Sequence, residues 1–220
     1  MTSAILAPIH QIEITPGSAI CIGGIDWDEY LTLLQQLGEA RSTRIAYNDS
    51  ILEIRMPGQL HESINRVLAA IVMTLAEEFG YEFNGLGSTT LNRPLLGKAI
   101  EPDSCFYIQN AQGGQGLTGS ISSTIPPDLA IEVDIASRSD GKFKIYQEIG
   151  VPELWVYQSG GGIVIKQLAD GEYLDVARSR VFPAVTTAQL IQWIEVRRTG
   201  TDLTVIRAVR TFCRGLGSGD

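Results

Sequence analysis

Five residues in the middle of the chain have the types and spacing that hydrolytic chemistry needs: Asp103, Glu132, Asp134, Lys142 and Lys144. Asp103 follows Pro102 at the head of a strand-like run ending at Ile108. Glu132 comes 29 residues later, straight after the apolar run Leu129-Ala130-Ile131. Strand alternation predicts Glu132 and Asp134 on one face and Val133 on the other. One or two acids on such a face are too many for a dry core without a cation. Lys142 and Lys144 follow a polar turn, Ser137-Arg138-Ser139-Asp140-Gly141, at the start of a short helix. Two positions apart on a helix, they point about 200° from each other, so only one can serve the acids. Phosphodiester hydrolysis asks for this set. It needs a hard cation held by carboxylates, a water deprotonated near neutral pH, and positive charge beside the pentacoordinate phosphate. Mg²⁺ keeps several waters, so two or three acids suffice.

Neighbouring residues have plainer readings. Asp128, after Pro126-Pro127, reads as a turn or strand-start residue. His61 reads as a cap or packing histidine, and Tyr146 and Trp155 as core. Lys144 reads as a solvated lysine. Glu62 sits in the first turn of a helix, where an acid suits the dipole with or without chemistry. Lys142 at a helix start gains nothing from the dipole, which favours a role in the site. Gly160-Gly161-Gly162 is a turn, lacking the Lys-Ser/Thr and helix of a phosphate loop. The two histidines, His10 and His61, support no Ser-His-Asp or Cys-His arrangement.

The elements that must position these groups follow from periodicity. A helix is predicted over Trp27–Ala40, with Asp26 and Glu29 forming a capping box. Arg44–Tyr47 and Ile51–Met56 read as a hairpin turning at Asn48-Asp49. His61–Phe79 reads as a long helix, because Ile64, Val67, Leu68, Ile71, Val72, Leu75 and Phe79 recur at three and four residues. Gly80 stands at its C-terminal cap. Short strands are predicted at Tyr81–Asn84, Thr89–Asn92 and Asp103–Ile108. Residues 109–124 are rich in Gly, Ser and Gln and read as a flexible loop. Strands follow at Leu154–Gln158, Ile163–Leu168 and Tyr173–Val176, the last two joined at Asp170-Gly171. Helices are predicted over Thr187–Arg198 and Leu203–Arg214.

At 220 residues and 19% charged, the chain reads as one globular unit. The expected organisation is an extended arm over 1–26, a principal domain over 27–200, and a C-terminal helix and tail over 201–220. No apolar run is long enough to span a membrane. Cys21, Cys105 and Cys213 are far apart and lack metal-ligand spacing, so they read as reduced thiols in a cytoplasm, Cys105 facing the core. The net charge of −8 argues against a general nucleic-acid binder, although a metal site itself concentrates acids. Arg197, Arg198, Arg207, Arg210 and Arg214 gather near the C-terminus, where they would meet phosphate or a partner subunit.

In order, these residues resemble a known pattern. Pro102-Asp103 is followed by Asp128-Leu129-Ala130-Ile131-Glu132-Val133, then Lys142, Tyr146 and Gly150-Val151-Pro152-Glu153-Leu154-Trp155. Residues 27–195 resemble the restriction-endonuclease-like family of the PD-(D/E)xK nuclease superfamily, including its histidine near a helix start, here His61-Glu62 after Met56-Pro57. The resemblance implies an α/β fold with a mixed central sheet flanked by helices. It implies a Mg²⁺-dependent DNA endonuclease, with Mn²⁺ as an alternative ion and a metal-activated water as nucleophile. Asp103 and Glu132 would bind the metal, Lys142 would be a catalytic lysine displaced onto the helix, and Glu62 would be an accessory acid and metal ligand. Asp134 occupies the superfamily's usual lysine position, two after the acid. A homodimer would suit the cutting of two strands. Two alternatives stay open: a catalytically inactive nuclease fold serving as a nucleic-acid-associated or assembly module, and a small-molecule hydrolase with the same metal site.

Overall fold

A computed structural model describes residues 12–38, 41–114, 121, 124–135 and 140–217. Residues 1–11 of the predicted arm, residues 115–120, 122 and 123 of the loop predicted over 109–124, and residues 136–139 of the polar turn lie outside these residues, while Ala111–Gly114 of that loop form a 3-10 helix.

Two sheets are built. The five-stranded sheet contains β1 (Ala19–Gly23), β2 (Arg44–Asn48), β3 (Ile51–Arg55), β5 (Leu91–Arg93) and β6 (Lys98–Ile100), in the order β1-β3-β2-β6-β5. All its pairings are antiparallel. The six-stranded sheet contains β4 (Asn84–Gly87), β7 (Ser104–Tyr107), β8 (Leu129–Asp134), β9 (Glu153–Gln158), β10 (Ile163–Ala169) and β11 (Glu172–Val176), in the order β11-β10-β9-β8-β7-β4. This sheet is mixed: β8 and β9 are parallel and the other neighbours antiparallel. Among the described residues five α-helices flank the sheets: α1 (Trp27–Leu37), α2 (Gln59–Phe79), α3 (Asp140–Ile149), α4 (Thr187–Thr199) and α5 (Asp202–Leu216). None of the described helices is long and apolar enough to cross a membrane.

The helices form where the periodicity places them, and their ends have local causes. Asp26 and Glu29 make the reciprocal capping box of α1. That helix stops at Leu37 because Gly38 turns to a φ of 67°, with its N–H still on Leu34 O. The β2–β3 hairpin turns at Asp49-Ser50, one residue later than predicted. Both residues have positive φ, the twist that suits a two-residue hairpin loop. Residues 19–23, read as part of an arm, pair with β3 as an edge strand. The strand expected at Tyr81–Asn84 instead begins at Asn84, and that expected at Thr89–Asn92 falls at Leu91–Arg93. Strand β6 was not predicted. Its three residues, all buried, are too few to show an alternation.

The two faces of the six-stranded sheet bury different cores. Leu129, Ile131 and Val133 face a cluster that includes Leu68, Ile71 and Leu75 of α2, Trp193 of α4 and Val209 of α5. Ala130 faces Ile145 and Ile149 of α3, together with Ala46, Leu91 and Ile100 of the other sheet. Glu132, in step with Ala130, shares the face that α3 covers. Cys105 also lies there and is fully buried.

Candidate active site

Asp103 and Glu132 are brought together by strand pairing. Ser104 is opposite Ile131 in the antiparallel β7–β8 ladder, and Asp103 N–H donates to Ile131 O at 3.2 Å. The register therefore sets Asp103 beside Glu132, on the face shared with α3. Both carboxylates are buried, at 1% and 0% exposure. Charges at that depth require partners.

The parallel β8–β9 pair supplies one of them. Parallel neighbours need a crossover, here α3, which packs back over the sheet and over Glu132. Lys142, in the first turn of α3, places Nζ 2.8 Å from Glu132 Oε2. Tyr146, one turn further on, donates its hydroxyl to Glu132 Oε1. The i, i+4 spacing puts both groups on one helix face. Burial raises the Tyr146 hydroxyl well above its ordinary pKa, and the Glu132 charge raises it further, so it stays a donor. Lys144 points elsewhere and meets exposed Asp49 at 3.4 Å.

A second cation comes from the other sheet. Arg55, the last residue of β3, is 4% exposed. One of its nitrogens, Nη2, lies 3.0 Å from Asp103 Oδ1 and 3.5 Å from Glu132 Oε2. Burial opposes the guanidinium charge, but the Asp103 and Glu132 carboxylates outweigh it and raise the Arg55 pKa. Asp103 Oδ2 accepts the Val133 backbone N–H at 2.8 Å. It also lies 2.9 Å from His61 Nε2, a close contact whose N–H is not aligned for a hydrogen bond. Burial pushes the Asp103 carboxyl up, but His61, Arg55 and Lys142 outweigh burial and hold it below its ordinary value. Asn65 of α2 donates to the Asp103 carbonyl at 3.0 Å and accepts from Ser104 Oγ at 2.9 Å, fixing the strand end.

The remaining candidates fall outside this cluster. Glu62 is 37% exposed at its side chain and pairs with Arg44 at 3.3 Å; His61 Nδ1 stands 4.0 Å away. Asp134 is half-buried at the end of β8. Asp128 is structural: its carboxylate accepts from Ile108 N, Asn110 N and Asn110 Nδ2, tying down the chain after β7. Arg197, Arg198, Arg210 and Arg214 pair with Asp202, Glu195 and the α2 acids Glu77 and Glu78. Three residues of the cluster were not assigned to it from sequence. His61 read as a cap and Tyr146 as core. Arg55 gave no signal beyond being a charge at the end of an apolar strand.

The donor set suits a hard divalent ion. One oxygen of each buried carboxylate lies within 3.5 Å of the same nitrogen, Arg55 Nη2. Among the described residues no group of three or more His, Cys, Asp or Glu is placed to hold a metal ion. Two carboxylates are enough for an ion that fills its other positions with water and substrate phosphate.

This mixed sheet, with helices on its faces, belongs to the restriction-endonuclease-like class of α/β folds. Its architecture is similar to the crystal structure of a putative nuclease belonging to DUF820 from Anabaena variabilis. That match has a TM-score of 0.55 at 16% identity and covers 77% of this chain and 99% of the other. None of the curated proteins matches this chain. The Uma2 family, described as "Putative restriction endonuclease", matches residues 27–203, and the chain belongs to that family.

Proposed function

We propose that the protein is a Mg²⁺-dependent DNA endonuclease that hydrolyses phosphodiester bonds with a metal-activated water. The observation that carries this reading is the buried Asp103–Glu132 pair with Lys142 Nζ 2.8 Å from Glu132. Asp103 and Glu132 would hold the ion. The bound ion supplies Lewis-acid polarisation and a water of lowered pKa. Lys142 supplies positive charge at the phosphate, or orients the attacking water through Glu132. Tyr146 fixes the Glu132 carboxylate against α3. Asn65 and the Val133 N–H fix Asp103. Glu62, at the start of α2, is the accessory acid, reached by a change of partner from Arg44. A homodimer would let two such sites act on two strands.

The test is cleavage of plasmid DNA with Mg²⁺, with Mn²⁺ and with a chelator, alongside single-stranded RNA and a small phosphodiester. The reading predicts metal-dependent cleavage of DNA that Glu132→Ala abolishes. Cleavage of the small phosphodiester alone would favour the small-molecule hydrolase. No cleavage with either ion on any substrate would favour the inactive nucleic-acid-associated module.

A further inference from the structure

We propose that Arg55 is a resident counter-ion occupying the cation position between Asp103 and Glu132, and that its guanidinium must withdraw before these carboxylates can take a divalent ion. The inference rests on the reading of Asp103 and Glu132 as metal ligands.

Three observations lead to it. The first is position. One nitrogen, Arg55 Nη2, lies 3.0 Å from Asp103 Oδ1 and 3.5 Å from Glu132 Oε2, so a single cationic group contacts both carboxylates. An ion held by both would have them at about 2.0–2.1 Å, leaving no room for a nitrogen between them. The second is charge. Two buried carboxylates already meet two buried cations, Arg55 and Lys142, so a further doubly charged ion would leave a surplus of positive charge in a poorly solvated space. One cation must yield. Lys142 is tethered to Glu132 alone, whereas Arg55 bridges both acids.

The third observation is how loosely the far side of the guanidinium is held. A structural buried arginine satisfies its donors with carbonyls and carboxylates. Arg55 Nε and Nη1 are buried and make no hydrogen bond among the described residues. The acids are therefore its polar anchor. A cavity of about 180 Å³ adjoins it, lined by Gly17, Met56, Pro57, His61 and Val133 as well as Arg55 itself. Withdrawal of the guanidinium from the carboxylate pair toward that space is the movement the inference requires.

The experiment is Mn²⁺ binding to the full chain, followed by calorimetry and by the paramagnetic resonance of free Mn²⁺, with no DNA present. The inference predicts that Arg55→Gln binds Mn²⁺ at least tenfold more tightly than wild type, and that Lys142→Met gains less. Equal affinity in wild type and Arg55→Gln, with binding lost in Glu132→Gln, overturns the inference and leaves the metal-ligand reading standing. An equal gain in Lys142→Met also overturns it, since net charge would then suffice. Mn²⁺ binding that Glu132→Gln leaves unchanged, or no binding in any variant, overturns the metal-ligand reading and the inference with it. Should Arg55→Gln fail to fold, arginine-labelled wild type carries the test. One slowly exchanging guanidinium signal is predicted to be lost as Mg²⁺ saturates the site, and its persistence would overturn the inference.

Discussion

Lys142 reaches Glu132 from a helix and not from the strand that carries the acid: Nζ lies 2.8 Å from Oε2, with the end of β8 and the start of α3 between them. The position two after Glu132 on the strand, where the superfamily's lysine usually stands, holds Asp134. The cation on Glu132 comes instead from Lys142, ten residues further along the chain. The β8–α3–β9 crossover makes this possible, because a helix returning over its own strand brings its first turn above the strand's end.

This arrangement separates the two lysines. Lys142→Ala is expected to lower the cleavage rate by about 10²–10³-fold, the usual loss when a charge stabiliser is removed from a transition state. Lys144→Ala removes an exposed contact with Asp49 and should leave cleavage unchanged. Steady-state cleavage of the same plasmid by both variants checks this; an equal loss in both would contradict the assignment.

Tyr146→Phe tests how far the helix fixes Glu132. The substitution keeps the ring in the core and removes one donor from a buried carboxylate. A hydrogen bond to a charged group contributes about 1.5–3 kcal/mol, and stability should fall by that order. Chemical denaturation at neutral pH measures it. A stability unchanged from wild type would show that the hydroxyl does not hold the carboxylate.

Asp103 predicts a pH dependence of stability. Its folded-state pKa lies below the ordinary value of 3.8, so the unfolded chain binds the proton more readily. The resulting stabilisation is fully present above that ordinary value and is lost as pH falls through the folded-state pKa. Asp103→Asn cannot titrate there. The stability gap between wild type and Asp103→Asn should shrink as pH drops below about 4. Denaturation midpoints from pH 5 to pH 2 follow this, and a gap that widens toward low pH would contradict it.

Much of this site can be read in the chain, for reasons that differ by residue. Glu132 shows itself as a charge interrupting an apolar strand, and Asp103 by its place at a strand start. Lys142 shows itself as a lysine at a helix start, where the dipole does not favour it. The long apolar face of α2 and the capping box of α1 come straight from spacing. Arg55 could not be found in this way. It is an ordinary strand end until the five-stranded sheet docks against the mixed sheet, and that docking rests on short strands such as β6 that carry no periodic signal. His61 and Tyr146 look like packing residues because they are buried in the fold, at 6% and 0% exposure, as well as touching the acids.

Glu153 shows that a motif acid need not do chemistry. It lies in the Gly-Val-Pro-Glu-Leu-Trp run and is fully buried, yet its carboxylate meets only neutral donors: Trp155 Nε1, Gln167 Nε2, Ser179 Oγ and Arg180 N. It staples β9 to the segment after β11. Each buried donor left without its partner costs about 1–3 kcal/mol, so Glu153→Ala should lower stability by several such steps. Its metal affinity at permissive temperature should match wild type. Calorimetry with Mn²⁺ distinguishes this from a second ligand set, in which metal binding would fall with stability intact.

The most direct measurement is the single-turnover cleavage rate of a labelled DNA duplex at saturating Mg²⁺, compared between wild type and Glu132→Gln. The isosteric amide keeps the fold's shape and removes the charge that would hold the ion. The account predicts Mg²⁺-dependent cleavage by wild type and loss of nearly all of it in Glu132→Gln, with both chains equally folded. Cleavage of equal rate in the two would contradict it.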